Sequence, residues 1–258
     1  MGAIRRYPLI RIYIQGAPLE MELEQFSKFF IFLTNSAHMR NNRISPESVD
    51  FYINLRENRY SNDFYNQTSD IFKQTVRPEL VSLLDAVFSE IKSEYGDITF
   101  EDSTSHIGLS YAHVPAKFAW GAITRNGRHK HNDLQLFIAL RYDYLRFGFY
   151  LPNKDDFQST FGVVYRNIEA NKIEFVSKVN ELFPNGVILS ARTAPSDSGE
   201  PKQLSFNEKY PQIAIEQNQE FSLISAIPVE EIFKIDLVSV ISKTFLKLKP
   251  VYDMIMKG

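Results

Sequence analysis

The sequence contains no cysteine among its 258 residues, and this absence excludes several kinds of site at once. A chain without thiols forms no disulfide framework, no thiolate zinc site and no cysteine nucleophile. Glycine is scarce, with 11 residues, and neither G-x-x-x-x-G-K-[ST] nor G-x-G-x-x-G occurs. The signatures G-x-S-x-G and H-E-x-x-H are absent as well. The sequence therefore predicts no nucleotide-hydrolysing motor within this chain, and it offers no motif for those hydrolases.

The chain also has little net charge and no long apolar run. Its formal charge is −2 and its pI is about 6.2, which excludes a protein that is basic overall but leaves room for a local basic patch. No stretch approaches the ~20 apolar residues of a membrane span. The 44% hydrophobic and 14% aromatic content is sufficient for a packed core. We therefore expect a globular cytoplasmic protein that does not associate with membranes.

The pattern of apolar residues predicts an α+β fold, with an antiparallel β meander flanked by N-terminal and C-terminal helices. We expect residues 1–20 to be an N-terminal extension or an edge strand, unless Met21 is the natural start. Residues 21–258 are expected to form a single α+β domain, with a mobile surface loop at residues 193–211. The predicted strands are 7–14, 106–113, 117–124, 134–140, 145–151, 187–192, 212–216 and 221–227. The predicted helices are 21–37, 46–59, 63–76, 78–95, 157–169, 171–183 and one from Pro228 that is broken or kinked at Pro250.

The most informative segment is 103–132, which contains no Asp or Glu but four Lys or Arg residues and four of the five histidines. Cations neutralise phosphates and aromatic faces stack on bases, so such a segment indicates nucleic-acid binding. The alternative, that the aromatic residues are core and the charges only solvate a hairpin tip, remains open. The candidate phosphate contacts are Lys117, Arg125, Arg128, His129, Lys130 and His131. The candidate stacking residues are Tyr111, Phe118 and Trp120.

Other chemistry has weaker support in the sequence. His129 and His131 would share a strand face, and Asp133 could complete a metal site, but no second ligand pair accompanies them. Glu200-Pro201-Lys202 has the letters of a nuclease motif, but a proline in a polar loop argues against a central strand. We predict no catalytic residue, metal or cofactor. The alternatives are a small nuclease or other hydrolase with a dispersed carboxylate site, and a protein-interaction module that docks through the C-terminal helix.

Two segments resemble known families. Residues 51–84 are similar in layout to an uncharacterised bacterial α/β family, on Asn58, Phe64, Tyr65 and Pro78. Residues 224–255 resemble the closing segment of the N-terminal specificity domains of McrB-type restriction proteins. That match is carried by Ile227, Pro228, Leu237, Phe245, Leu248, Pro250 and Tyr252. The second resemblance implies a DNA-recognition module for a modified base in antiviral defence, with an AAA+ motor C-terminal to this chain or on another subunit.

Overall fold

The structure is a computed structural model that describes residues 9–14, 17–22, 44–100, 115–128, 132–151, 160–182 and 221–257. The chain divides into two compact units, Met1–Arg43 and Ile44–Gly258. In the first unit, β1 (Leu9–Ile14) and β2 (Ala17–Glu22) form an antiparallel pair. The predicted helix at 21–37 is wrong at its start, because the first two of these residues continue β2. The rest of that helix lies outside the described residues.

The second unit begins with α1 (Pro46–Glu57), where the sequence predicts it. Ser45 is its N-cap, and its hydroxyl accepts a hydrogen bond from the backbone N–H of Ser48. The Glu79 carboxylate accepts hydrogen bonds from the Ser45 N–H at 2.9 Å and from the Ser48 hydroxyl at 2.6 Å. One carboxylate thus satisfies polar groups at the start of α1 and ties this helix to the next long helix.

The next helical segment is continuous, although the sequence predicts two separate helices. It consists of α2 (Asn62–Ile71), a π-helical turn (Phe72–Val76) and α3 (Arg77–Tyr95). Pro78 has no N–H, and its ring would clash with the carbonyl four residues earlier in a regular helix. The wider π turn directly before Pro78 accommodates the proline without ending the helix. Gly96 then ends α3 at a left-handed φ of 72°, as predicted.

A five-stranded antiparallel sheet follows, in the order β3-β4-β5-β6-β7. The meander β4 to β6 and the strand β7 confirm the predicted strands, whereas the short β3 was not predicted. The other predicted strands, at 106–113, 187–192 and 212–216, and the loop at 193–211 lie outside the described residues. The strands are β3 (Ile98–Thr99), β4 (Ala119–Arg125), β5 (Gln135–Leu140), β6 (Tyr144–Leu151) and β7 (Phe221–Pro228).

Three further helices complete the described part of the fold: α4 (Thr160–Ala170), α5 (Lys172–Leu182) and α6 (Leu237–Met256). The predicted helix start at Pro228 is wrong, because this residue is the last of β7 and pairs with Tyr144. The true N-cap is Asp236, whose carboxylate accepts a hydrogen bond from the Ser239 N–H. Of the two forms of the prediction at Pro250, the break is wrong, because α6 continues through this residue, and the kink stays a prediction.

The main core lies between one face of the sheet and the helices. Helix α6 contacts α3, α4, α5 and β6, so it forms the centre of the helical layer. Phe147 on β6 meets Phe245 on α6 edge-to-face, and the buried Tyr95 hydroxyl donates a hydrogen bond to the Phe245 carbonyl at 2.6 Å. This arrangement confirms the α+β class, with helices packed on an antiparallel meander.

None of the described helices is both long enough and apolar enough to cross a membrane.

Candidate nucleic-acid interface

The structure separates the basic residues that the sequence places in one segment. Lys117 precedes β4, Arg125 is the last residue of β4, and Arg128 follows in the turn. Seven extended residues span about 20 Å, so Lys117 and Arg128 lie at opposite ends of the strand. The structure therefore contains two basic ends rather than one patch. His129, Lys130, His131 and the stacking candidate Tyr111 lie outside the described residues.

At the end of β4 that leads into the β4–β5 hairpin, Arg125 forms an ion pair with the buried carboxylate of Asp133. Its Nε donates to Asp133 Oδ1 at 2.9 Å, its Nη2 contacts the same oxygen, and its backbone N–H donates to Oδ2 at 3.0 Å. The Asp133 side chain is 0% exposed and that of Arg125 is 30% exposed. Burial lowers the pKa of the Arg125 guanidinium, but the hydrogen bonds and charge of Asp133 outweigh this effect and raise it. The pair closes the hairpin, and Arg128 is the exposed cation among the residues described at this end.

The Arg125–Asp133 ion pair also affects the predicted metal site, in which Asp133 would be a ligand. Both oxygens of Asp133 accept hydrogen bonds from Arg125, so this carboxylate already has partners. Within the described ranges, no three His, Asp or Glu side chains are grouped so that they could hold a metal ion.

The aromatic candidates lie on the face of the sheet that is opposite the main core. Phe118 and Trp120 are half-buried and pack with Tyr150 against a separate small cluster. The cluster consists of Phe137, Ala139 and Ile224. Trp120 is therefore neither a residue of the main core nor fully exposed, and it retains surface for a contact.

The opposite end of β4 carries a group of cations and tyrosines, which we call the turn cluster. Its members are Arg56, Tyr60, Lys117, Arg141 and Tyr142. The Arg56 guanidinium lies 4.0 Å from the centre of the Tyr142 ring, and the Arg141 guanidinium lies 4.7 Å from it. The Lys117 ammonium lies 5.6 Å from the centre of the Tyr60 ring. These distances are typical of cation–π contacts.

The turn cluster is electrostatically connected. Burial is the main cause that raises the pKa of the Tyr60 phenol, while the charges of Arg141 and Arg56 lower it. Arg141 also donates to the Tyr142 hydroxyl at 2.9 Å, and its Nε lies 2.8 Å from Asp143 Oδ1 in an ion pair without hydrogen-bond geometry. Positive charge and aromatic rings thus meet at one end of the sheet.

Three separate segments contribute the turn cluster. Lys117 lies just before β4, and Arg141 and Tyr142 form the tight β5–β6 turn. Arg56 and Tyr60 come from the C-terminal end of α1, which closes in a Schellman motif. In this motif the Arg59 N–H donates to the Arg56 carbonyl at 2.9 Å and the Tyr60 N–H donates to the Leu55 carbonyl at 2.7 Å.

The Schellman motif requires the left-handed φ of 54° at Arg59, and Tyr60 follows at a φ of 56°; glycine is favoured at both values. A non-glycine residue in this conformation costs about 1–2 kcal/mol, and backbone strain of this kind concentrates at functional sites. The turn thus holds Tyr60 beside the cations, at a cost to the stability of the fold.

Replacing Arg59 with glycine should therefore stabilise the protein. We expect Arg59→Gly to raise the free energy of unfolding by about 0.5–1 kcal/mol, because relief of the left-handed strain exceeds the added entropy of the unfolded chain. Urea denaturation measures the change. Asn58→Gly is the control without strain: Asn58 has a φ of −85°, so glycine there relieves nothing and should lower stability through its backbone entropy and the loss of the 2.8 Å hydrogen bond from the Asn58 amide to the Asn54 carbonyl. A loss of stability in Arg59→Gly would contradict the strain.

The sequence identified Lys117 but missed the other four members of the turn cluster. They are distant in sequence, and a run of basic residues is the signal that a linear search detects. The tight turn at residues 141–143 is a local signal that could have found two of them, whereas Arg59 and Tyr60 carry no sequence signal for a left-handed turn. Neither a scan against protein-family models nor a search of curated proteins finds a match to this chain.

Proposed function

We propose that the chain is a nucleic-acid-binding specificity domain without catalytic activity of its own, and that its ligand is duplex DNA. The turn cluster is the observation that carries this proposal. Guanidinium groups form planar forks that match phosphate oxygens, and they also stack on aromatic rings and bases. A surface that combines arginines with partly exposed tyrosines therefore suits a nucleic-acid strand better than it suits an apolar ligand.

The distance between the two ends of β4 sets the length of the proposed DNA-binding surface. Arg56 and Arg128 are exposed at opposite ends of a strand about 20 Å long. Phosphates recur every 3.4 Å along one strand of B-DNA, so this span corresponds to about six nucleotides. Phosphate contacts at both ends would fix the orientation of the domain on DNA, leaving recognition to the residues between them.

The resemblance of residues 224–255 to McrB-type specificity domains supports a role in cytoplasmic restriction and antiviral defence. In this proposal the domain recognises DNA that carries a modified base. An AAA+ motor is supplied C-terminal to this chain or by another subunit. The resembling residues form β7 and α6, which build the sheet edge and the centre of the helical layer. They support the recognition surface without forming part of it.

Single substitutions at each end of β4 test the footprint. Arg56→Gln and Arg128→Gln should each weaken binding uniformly across DNA sequences and make the salt dependence shallower by about one unit in log K against log salt. Fluorescence anisotropy with a labelled duplex, unmodified and cytosine-modified, measures both effects.

The matched control removes one positive charge elsewhere. Lys178 lies on α5 and pairs with Glu174 at 3.5 Å, so Lys178→Gln should leave the salt dependence unchanged. If Arg56→Gln behaves like this control, the turn cluster is not a phosphate contact. Absence of DNA binding together with a melting temperature that rises with divalent metal would instead favour the hydrolase alternative.

A further inference from the structure

Arg146 is a second arginine on the sheet, and its environment differs from that of Arg125. Arg125 uses the Nε and Nη2 edge of its guanidinium to hold the Asp133 carboxylate. In Arg146 the same two atoms are buried, and neither has a hydrogen-bond partner among the residues that the structure describes. This edge presents two parallel N–H donors, which match a carboxylate or a phosphate.

The strand register places small residues around Arg146. Ala139 on β5 and Ala226 on β7 are its partners in the neighbouring strands, and Gly148 follows two residues later on β6. Side chains two residues apart on a strand share a face, so all three surround Arg146 on the face opposite the main core. The positions directly opposite Arg146 on both neighbouring strands therefore carry only methyl groups, while the larger side chains of Phe137 and Ile224 lie diagonally from it.

The charges near Arg146 do not neutralise it. Burial is the largest cause that lowers the pKa of its guanidinium, and the positive charge of Arg141 lowers it further. Asp143 acts in the opposite direction, but its Oδ1 atom is 2.8 Å from Arg141. A buried cation without a partner is strongly destabilising, so a bound anion at Arg146 would be favoured.

Trp120 lies on the same face and in the same register row. It pairs with Ala139, which in turn pairs with Arg146, so two strand spacings of about 10 Å separate Trp120 from Arg146. Only the methyl group of Ala139 stands between them in this row. An aromatic ring at this distance can contact a group that is attached to an anion bound at Arg146.

We propose that Arg146 is the anchor of a phosphate-binding site, with Trp120 contacting the group that carries the phosphate. The phosphate belongs either to a free nucleotide or to a nucleic-acid strand, and in the second case the site rests on the proposed function. The site lies on the face of the sheet opposite the main core, whereas the turn cluster lies at the turns at one end of the sheet.

The test is thermal unfolding of the wild-type chain and of Arg146→Met at constant ionic strength, with inorganic phosphate or a nucleoside monophosphate replacing chloride. We expect both ligands to raise the wild-type melting temperature by several degrees and to leave that of Arg146→Met unchanged. Without ligand, Arg146→Met should melt at or above the wild-type temperature, because it removes a guanidinium whose buried Nε and Nη2 find no partner in the described part of the chain. A lower melting temperature for Arg146→Met, or an equal response of both proteins to phosphate, would overturn the proposal.

Intrinsic fluorescence gives a second measurement, because Trp120 is the only tryptophan in the chain. A nucleoside monophosphate should change the emission of the wild type, whereas Arg146→Lys, which keeps the charge but loses the two-donor edge, should respond at least tenfold more weakly. Response to a mononucleotide identifies a free nucleotide as sufficient. Response to single-stranded DNA alone assigns the phosphate to a nucleic acid, and response to neither ligand overturns the site. DNA binding through the turn cluster is measured separately by anisotropy, so the two proposals can fail independently.

Discussion

Asp133→Ala is expected to lower the free energy of unfolding by about 3 kcal/mol, because it removes one partner of a buried ion pair. Asp133 is 0% exposed and accepts hydrogen bonds from the Nε, the Nη2 and the backbone N–H of Arg125. Its loss leaves the half-buried guanidinium and a backbone N–H without these acceptors, so the hairpin between β4 and β5 loses its closing contact. Urea denaturation at neutral pH measures the change.

The control for this substitution removes a carboxylate that is also paired with a cation but lies at the surface. Asp253 on α6 forms an exposed ion pair with Lys249 four residues earlier. Pairs of this kind contribute about 0.3–0.5 kcal/mol, so Asp253→Ala should have a small effect. Equal losses in the two variants would show that burial of the Arg125–Asp133 pair carries no special stability.

Gly148→Ala is expected to prevent stable folding or to cost about 4 kcal/mol. Gly148 lies on β6 with a φ of 149°, and a Cβ atom added there would lie closer to the carbonyl oxygen of Leu223 on β7 than any real contact allows. Relief of this clash requires the two strands to separate, and the backbone conformation itself costs about 1–3 kcal/mol for a non-glycine residue. Circular dichroism and urea denaturation measure the result.

Gly127→Ala is the control that separates the steric clash from the backbone penalty at positive φ. Gly127 has a φ of 69° in the β4–β5 turn, but an added Cβ atom would meet nothing within 4 Å. Gly127→Ala should therefore cost only about 1–2 kcal/mol, which is the left-handed penalty without a clash. If Gly148→Ala is no more damaging than Gly127→Ala, the close approach of β6 and β7 at Leu223 does not constrain the sheet.

The elements of the fold were largely predictable because local signals mark them. Ser45 and Pro46 begin α1 and Gly96 ends α3, and each acts through its own backbone conformation. The C-terminal helix shows the limit of such signals. Pro228 looks like a helix start, but its pairing with Tyr144 across the sheet makes it the end of β7. Strand pairing is a tertiary contact, and no local pattern at residue 228 reveals it.

The candidate site was less predictable than the fold for the same reason. The sequence grouped Lys117 with Arg125 and Arg128 because they are close in the chain, whereas β4 separates them by its full length. The structure instead brings Lys117 near Tyr60, from a turn more than fifty residues earlier. Arg125 illustrates a second limit of sequence reasoning, because only the structure shows that the Asp133 carboxylate pairs with its guanidinium.

The salt dependence of duplex binding by the wild-type chain tests the central claim most directly. Anisotropy titrations of labelled DNA, unmodified and cytosine-modified, at several salt concentrations give the slope of log K against log salt. Three or four phosphate contacts from the two ends of β4 predict a slope of about −3, since each contact contributes about −0.9. A preference for modified DNA would support the specificity role. Absence of binding at low salt, or an affinity that does not change with salt, would contradict the proposal that this protein binds DNA through its cations.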